Sequence, residues 1–253
     1  MNHQKALGQF LKSRRERLQP EKVGITDTSR RRTPGLRREE VAYRAHISAT
    51  YYTWLEQGRD VKPSQEILQN IGAALQLDRD ELMHLIDLSE IGSLQSQEAI
   101  DEHEEEDSTS LYTAVGQLNY PSFIINDSTE VLAWNRAAEL IVCDFNAWPK
   151  QERFLLNLVF ADEKIKEQMV NRDEFIAYSA AVFHGVCDCH PEHPEYLERA
   201  GRLCDQYAEF KSIWEQHDVS RKKITCGIFQ HPKVGLLEFQ AHSLSVDGNP
   251  TLH

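Results

Sequence analysis

Residues 30–60 have the sequence RRRTPGLRREEVAYRAHISATYYTWLEQGRD, and this stretch decides the fold of the N-terminal part of the chain. Apolar residues recur at helical spacing in two short segments, 41–45 and 52–55. Each segment has only a small apolar side, which it can bury by packing against the other. The pattern therefore predicts two short helices joined by a turn that contains Ile47.

The second predicted helix has suitable residues at both of its ends. Ser48 is expected to accept a hydrogen bond from a backbone amide at the N-terminus, and Gly58 to turn the chain left-handed after the C-terminus. The helix then extends from Ser48 to Gln57. Five of its side chains are expected to point away from the packed side, and we call them the outer face: Ala49, Thr50, Tyr51, Thr53 and Trp54.

This helix pair resembles the helix-turn-helix of the XRE class of bacterial regulators, which includes repressor and Cro-like proteins. In that class the second helix enters the DNA major groove, with its N-terminal residues against base edges. The resemblance implies base contacts by four residues of this chain: Ala49, Thr50, Tyr51 and Trp54. The turn position that is usually Gly is His46 here, so His46 is expected to be left-handed. Trp54 has a second interpretation, packing under Arg59.

Cationic residues surround the predicted reading helix. The phosphate-contacting candidates are Arg30, Arg31, Arg32, Arg37, Arg38, Arg59 and Lys62. Such side chains neutralise backbone phosphates, although a solvated charge cluster is the alternative for the run 30–32. A first helix with an apolar stripe is also predicted, and its arginines Arg14, Arg15 and Arg17 are expected to face outward toward phosphate.

The charges are divided unequally along the 253 residues. Residues 1–62 contain 14 Lys and Arg against 7 Asp and Glu, a net charge of +7, so the total of −12 leaves −19 for the remainder. This division indicates that only the N-terminal part contacts a polyanion. We predict a helix-turn-helix DNA-binding domain of five helices at 1–90, an acidic linker at 91–110, and a second domain at 111–253. Asp78 and Glu81 form a predicted capping box for the fifth helix.

Strand and helix patterns both occur in the second domain. The predicted strands are 121–125, 131–134, 224–229 and 234–239, with a further candidate at 241–246. Asn135 is expected to cap the helix after the second strand, and a long helical region is predicted at 150–218. The fold class is therefore α+β, and strands from both ends are expected to pair into one sheet around a large helical insertion.

Five segments, in this order and over nearly the whole chain, resemble the MmyB-like regulators: RRTPGLRREEVA, YYTWLEQGRD, VLAWNRAAEL, FKSIWEQHDV and HPKVGLLEF. This resemblance implies a transcription factor with an XRE/Cro-like helix-turn-helix domain and a PAS-like ligand-binding domain. It further implies a small apolar ligand such as a fatty acid, with no required cofactor. Because such regulators commonly carry a further strand, the sheet edge near 251–253 is expected to be incomplete or covered by a partner.

Eight aromatic residues are candidate contacts for that ligand, a role that comes from the resemblance and not from their spacing. They are Trp134, Phe154, Phe175, Tyr178, Phe183, Tyr207, Phe210 and Trp214. The alternative for each is an ordinary place in the core, where aromatic side chains at helical spacing are common.

A dense group of sulfur and imidazole side chains raises the alternative that the effector is a metal ion or a redox signal. Cys187, Cys189, His190 and His193 lie within seven residues, as in a metal- or redox-responsive regulator. However, Cys-x-Cys is tighter than the spacing of structural zinc sites. The MmyB-like resemblance also implies a helix-to-helix loop here, so no metal is predicted.

Other functional classes lack sequence signals. The chain has no phosphate-binding Gly-rich loop, HExxH or GxSxG motif, so no enzyme is predicted. No apolar run is long enough for a membrane span, no signal-peptide core follows the N-terminus, and the odd count of five cysteines is typical of a reducing compartment. We therefore expect a cytoplasmic, nucleoid-associated homodimer on a double-stranded DNA operator. A protein-interaction module with a basic helical domain is the alternative.

Overall fold

The computed structural model describes residues 3–25, 35–94, 113–221 and 225–242. The chain forms two compact units: the first is Met1–Glu98 with Cys187–Pro194, and the second is Ala99–Val186 with Glu195–His253. Most of the predicted acidic linker, from residue 95 onward, lies outside the described residues. The boundaries expected at 90 and 111 therefore stay predictions.

The first unit is helical, as predicted. Its helices are α1 (His3–Arg17), α2 (Arg38–Arg44), α3 (Ala49–Glu56), α4 (Gln65–Ala74) and α5 (Arg79–Leu94), with a 3-10 turn at Pro20–Val23. Leu11, Tyr52 and Leu85 are fully buried at its centre. The predicted capping box is confirmed, because Glu81 N donates to Asp78 Oδ1 at 2.9 Å and Asp78 N donates to Glu81 Oε2 at 3.0 Å.

The second unit mixes short strands with helices, which confirms the α+β class. Its elements include β1 (Phe123–Ile125), β2 (Val131–Trp134), α6 (Arg136–Ile141), α7 (Leu155–Ala161), α8 (Glu163–Gln168), α9 (Arg172–Cys189, the last three residues of which belong to the first unit), α10 (Pro194–Gln206, from its second residue), α11 (Ala208–Trp214), β3 (Thr225–His231) and β4 (Gly235–Ala241). Asn135 caps α6 as predicted, since its Oδ1 accepts from Ala138 N at 2.9 Å. No helix in the described ranges is long and apolar enough to cross a membrane.

The expectation of one sheet is wrong within the described residues. There, β1 pairs with β2 and β3 pairs with β4, in two separate antiparallel sheets. The free edge of β3 binds the segment between α8 and α9 instead: Val170 N donates to Ile228 O at 2.7 Å, and Asn171 Nδ2 donates to Cys226 O at 2.7 Å. These bonds satisfy backbone carbonyl groups of β3 that would otherwise need a third strand as their partner. The candidate strand at 241–246 and the chain end at 251–253 lie outside the described residues, except that β4 reaches Ala241.

Candidate nucleic-acid interface and apolar cluster

The turn between α2 and α3 has the predicted backbone geometry. Ser48 Oγ accepts a hydrogen bond from Tyr51 N at 3.1 Å, so Ser48 caps α3. His46 is left-handed with a φ of 56°, and Gly58 is left-handed with a φ of 65° after α3. Tyr52 and Leu55 are buried on the inner side of α3. The local signals that predicted a helix-turn-helix are thus confirmed in the backbone.

A buried group of charges holds α3 in place. The carboxylate of Glu56, at the C-terminus of α3, accepts from Arg15 Nε at 2.7 Å and from Arg38 Nε at 2.9 Å. Arg15 also donates to Leu36 O at 2.9 Å. The side chains of Arg15 and Glu56 are only 3% and 1% exposed. This ion triad therefore connects α1, α2 and α3 inside the unit.

The triad also shifts the pKa values of Glu56 and of its neighbour Tyr52. Burial by itself would raise the pKa of Glu56, but the hydrogen bonds and charges of Arg15 and Arg38 outweigh it and hold that pKa below its ordinary value. Burial raises the pKa of the neighbouring Tyr52, and the Glu56 carboxylate raises it further. Glu56 is therefore ionised and Tyr52 neutral at physiological pH.

The expectation that Arg14 and Arg15 face outward toward phosphate is wrong. Both are 2% exposed, Arg15 in the triad and Arg14 with its Nε 2.9 Å from Glu81 Oε1. Arg17 is half exposed at its side chain, and it also pairs with Glu81. Two interior carboxylates draw these guanidinium groups inward, because a buried charge needs a partner of opposite sign. The first helix thus contributes less surface charge than its sequence predicts.

Helix α1 packs directly against the C-terminal end of α3. A Cβ atom added at Gly8 would lie 2.6 Å from the carbonyl oxygen of Glu56, and one added at Gly58 would lie 2.8 Å from the carbonyl oxygen of Gln4. Real Cβ atoms essentially never approach this closely. The two glycines therefore allow a backbone contact that positions α3.

The outer face of α3 remains accessible. Thr50 is exposed, and Trp54 is 37% exposed. Ala49, Tyr51 and Thr53 are half-buried. Tyr51 lies at one edge, where its hydroxyl donates to the carbonyl oxygen of Lys62 at 3.4 Å.

Three of the predicted phosphate contacts are linked to α3 by observed interactions. The guanidinium carbon of Arg59 lies 5.8 Å from the centroid of the Trp54 ring, which agrees with the packing interpretation of Trp54. The backbone of Lys62 accepts from Tyr51, and Arg38 bonds Glu56 while its side chain stays 43% exposed. Arg37 is half-buried just before α2. The candidates Arg30, Arg31 and Arg32 lie outside the described residues.

In the second unit, four of the eight candidate ligand residues form one aromatic cluster: Phe183, Tyr207, Phe210 and Trp214. Trp214 connects it, with ring centroids 5.5 Å from Phe210 and 5.9 Å from Phe183. Phe160, which is not among the eight candidates, stacks on Tyr207 with the ring centroids 4.8 Å apart. Phe183 and Phe210 are fully buried, whereas Tyr207 and Trp214 are half-buried. The cluster therefore reaches the surface at Tyr207 and Trp214.

The other four candidates have different neighbours. Trp134 lies 5.3 Å from Phe145 between ring centroids and under the guanidinium group of Arg153. Phe154 is buried beneath Arg199, at 5.4 Å. The Tyr178 hydroxyl donates to Arg221 O at 3.5 Å, and Phe175 is half-buried on the same helix.

Comparison with known protein families agrees with both parts of this geometry. The model for the MmyB-like transcription regulator ligand binding domain matches residues 108–253, which is more than half of the chain. The chain belongs to the MmyB-like transcription regulators. A helix-turn-helix domain model matches residues 6–85 of this MmyB-like regulator. No curated protein sequence matches it significantly.

The two matched domains define the general activity of this MmyB-like regulator. A helix-turn-helix joined to such a ligand-binding domain makes it a ligand-responsive, DNA-binding transcription regulator. Both families are domains of transcription regulators, which are typically not enzymes.

The cysteine and histidine segment of this MmyB-like regulator does not gather metal ligands. Within the described residues, no group of three His, Cys, Asp or Glu side chains is placed to hold a metal ion. Cys187 is buried, and burial raises the pKa of its thiol. His190 pairs instead with Glu192, at 3.1 Å between Nδ1 and Oε1.

Tyr43 of this MmyB-like regulator is a further candidate for contact with the DNA backbone, and it was not among the residues predicted from the sequence. It lies near the C-terminus of α2 and is 83% exposed. In this fold class the first helix of the motif crosses the DNA backbone. Tyr43 lies outside the apolar side of α2 formed by Val41, Ala42 and Ala45, and this position in the helical pattern is the sequence signal that indicates its exposure.

Proposed function

We propose that this MmyB-like regulator binds a two-fold operator as a homodimer, with α3 in the major groove of each half-site. The observation that supports this best is the accessible outer face of α3 with Arg38, Arg59 and Lys62 linked to the same helix. A helix of eight residues contacts few base pairs, so useful specificity requires two copies. The regulator would act in the cytoplasm, on the nucleoid.

The side chains divide into two roles under this proposal. Base edges are contacted by Ala49, Thr50, Tyr51 and Trp54, and phosphates by Arg30, Arg31, Arg32, Arg37, Arg38, Arg59 and Lys62. Phosphate contacts fix the orientation of the protein, whereas base contacts select the sequence. Arg38 would do both a structural and a binding task, since it pairs with Glu56 and remains partly exposed.

Lys62→Gln is expected to weaken binding to all DNA sequences about equally and to lower the log-log salt slope by about one. The reason is that each neutralised phosphate releases condensed counterions. The measurement is fluorescence anisotropy of a labelled mixed-sequence duplex titrated with protein at several salt concentrations.

Lys233→Gln is the matched control, because it removes the same charge from an exposed turn between β3 and β4. Its salt slope should equal that of the wild type. A wild-type slope near zero would contradict DNA binding and favour a protein-interaction module instead.

We further propose that the second unit has a PAS-like fold and binds a small apolar molecule such as a fatty acid at the aromatic cluster. The support is an apolar interior that reaches the surface at Tyr207 and Trp214. Trp134, Phe154, Phe175 and Tyr178 remain ligand candidates outside that cluster. A ligand can change DNA binding only if it has unequal affinity for two arrangements of the dimer. We infer that these arrangements differ in half-site spacing.

Denatured extracts of the purified protein are expected to contain a lipid detectable by mass spectrometry, and its removal should change DNA affinity. Trp214→Ala should lower the amount retained, because it removes a ring that contacts Phe183 and Phe210. Leu236→Ala, on an exposed β4 side chain, is the control and should retain the wild-type amount. Absence of any bound species, together with unchanged affinity, would end the lipid proposal without affecting DNA binding.

A further inference from the structure

The outer face of α3 is rich in methyl groups and lacks the side chains that bond base edges in pairs. Residues 49–55 have the sequence ATYYTWL, with no Arg, Lys, Asn, Gln, Asp or Glu. Bidentate readout of guanine normally uses Arg or Lys, and that of adenine uses Asn or Gln. Glu56 follows, but its carboxylate is buried in the ion triad. The face is therefore poorly suited to paired hydrogen bonding.

The orientation of Thr53 makes the face more apolar still. Thr53 Oγ1 donates to Ala49 O at 2.7 Å, within the same helix. Its hydroxyl is thus engaged by the backbone. Residues four apart lie above one another on a helix, so Ala49 with Thr53 and Thr50 with Trp54 form two adjacent rows.

The polar groups beside the face are already positioned by one another. Arg59 Nε donates to Gln57 Oε1 at 3.0 Å while its guanidinium group lies over Trp54. Gln57, the first amide after α3, is at the C-terminal cap, whereas this fold class reads bases from the N-terminal part of the helix. These groups are placed for phosphate at the edge of the groove.

We propose that α3 selects its operator through the C5-methyl groups of thymine, which pack against Ala49, Thr50, Thr53 and Trp54. Thymine is the base that presents a methyl group in the major groove, and Ala and Thr methyl groups are its usual apolar partners. Base selection then depends on methyl burial and shape instead of a guanine contact. This inference rests on the proposed insertion of α3 into the groove.

The test compares thymine with uracil, which differs only by that methyl group. Duplexes are first selected from a random-sequence pool, and the best-bound sequence is then remade with uracil at one thymine position at a time. Removing a contacted methyl group should lower the affinity about threefold to fivefold, which is the value expected for the loss of one buried methyl-sized group. The salt slope should stay the same, because no phosphate contact is altered.

Two substitutions at the exposed residue Thr50 separate the methyl from the hydroxyl. Thr50→Ser removes the methyl and keeps the hydroxyl, so the thymine-to-uracil affinity ratio at one position should fall toward one. Thr50→Val keeps the methyl and removes the hydroxyl, so that ratio should persist whatever the overall affinity. If Thr50→Ser kept the thymine-to-uracil affinity ratio and Thr50→Val lost it, the hydroxyl and not the methyl group of Thr50 would contact the base, and the inference would be overturned.

The wild-type measurements distinguish failure of this inference from failure of the proposed function. If uracil duplexes bind as tightly as thymine duplexes at every position while binding stays steeply dependent on salt, methyl recognition is overturned and DNA binding stands. If no sequence is enriched and the salt dependence is absent, both fail. Enriched sites with guanine at the central contacted positions and no uracil effect would also overturn the inference.

Discussion

Glu56→Gln is expected to lower the free energy of unfolding of the first unit by about 3–5 kcal/mol, the range measured when one partner of a buried ion pair is removed. Arg15 would keep its charge at 3% exposure with only the partly exposed carboxylate of Glu16, 3.3 Å away, beside it. Arg38 contributes less to the loss, because its side chain is 43% exposed and water can replace the partner. The C-terminus of α3 would also lose its ion pair with α1.

The same substitution should change the pH dependence of stability. The pKa of Glu56 is lower in the folded protein than its ordinary value of 4.5. Its stabilisation is therefore fully present above about pH 4.5 and is lost as the pH falls through the folded pKa. The wild type should lose stability in this acid range more steeply than Glu56→Gln, which has no group to protonate at that position.

Urea unfolding followed by circular dichroism at pH 7 and at several acid pH values measures both effects. Glu39→Gln, an exposed carboxylate in the first turn of α2, is the control and should cost below about 1 kcal/mol. A Glu56→Gln protein as stable as Glu39→Gln would contradict the account. Combining Glu56→Gln with Arg15→Met should cost less than the two single changes added together, since the buried charge that has lost Glu56 is then removed.

Gly8→Ala is expected to destabilise the first unit by about 1–3 kcal/mol, the usual cost of overpacking, although alanine is the better helix former. The added Cβ would lie 2.6 Å from the Glu56 carbonyl oxygen, and that neighbour is backbone, not a flexible side chain. Either α1 or the end of α3 must move. Affinity for the selected operator should fall as well, because α3 carries the outer face.

Gly201→Ala is the matched control for this helix substitution. Gly201 lies within α10, is exposed, and a Cβ there meets nothing within 4 Å. Alanine should therefore stabilise the second unit by about 0.5–1 kcal/mol, with operator affinity unchanged. Both variants are measured by urea unfolding and by anisotropy. If Gly8→Ala instead gained stability as Gly201→Ala does, α1 and α3 could move apart at little cost, and the prediction would be wrong.

Features that depend on a few consecutive residues were predictable from the sequence. The Ser48 cap, the left-handed Gly58 and the capping box at Asp78 and Glu81 appear where local chemistry placed them, and His46 is left-handed as the resemblance to the XRE class implied. In each case the interacting groups lie within four residues, so backbone geometry and one side chain determine the outcome. The helical first unit and the α+β class followed from such signals, repeated along the chain.

The sequence by itself thus determined the helices of the first unit, the turn between α2 and α3 and the apolar character of the outer face of α3. The region predicted as one long helical stretch at 150–218 is instead divided into the separate helices α7 to α11. Only the tertiary structure decided which arginines remain at the surface, because the partner of Arg15 is 41 residues away and a helical pattern cannot show that a distant carboxylate is buried beside it. The same holds for the sheets, where Asn171 bonds the β3 backbone 55 residues later. Pairing over such distances depends on how the whole unit packs, whereas periodicity reports only which side of an element is apolar.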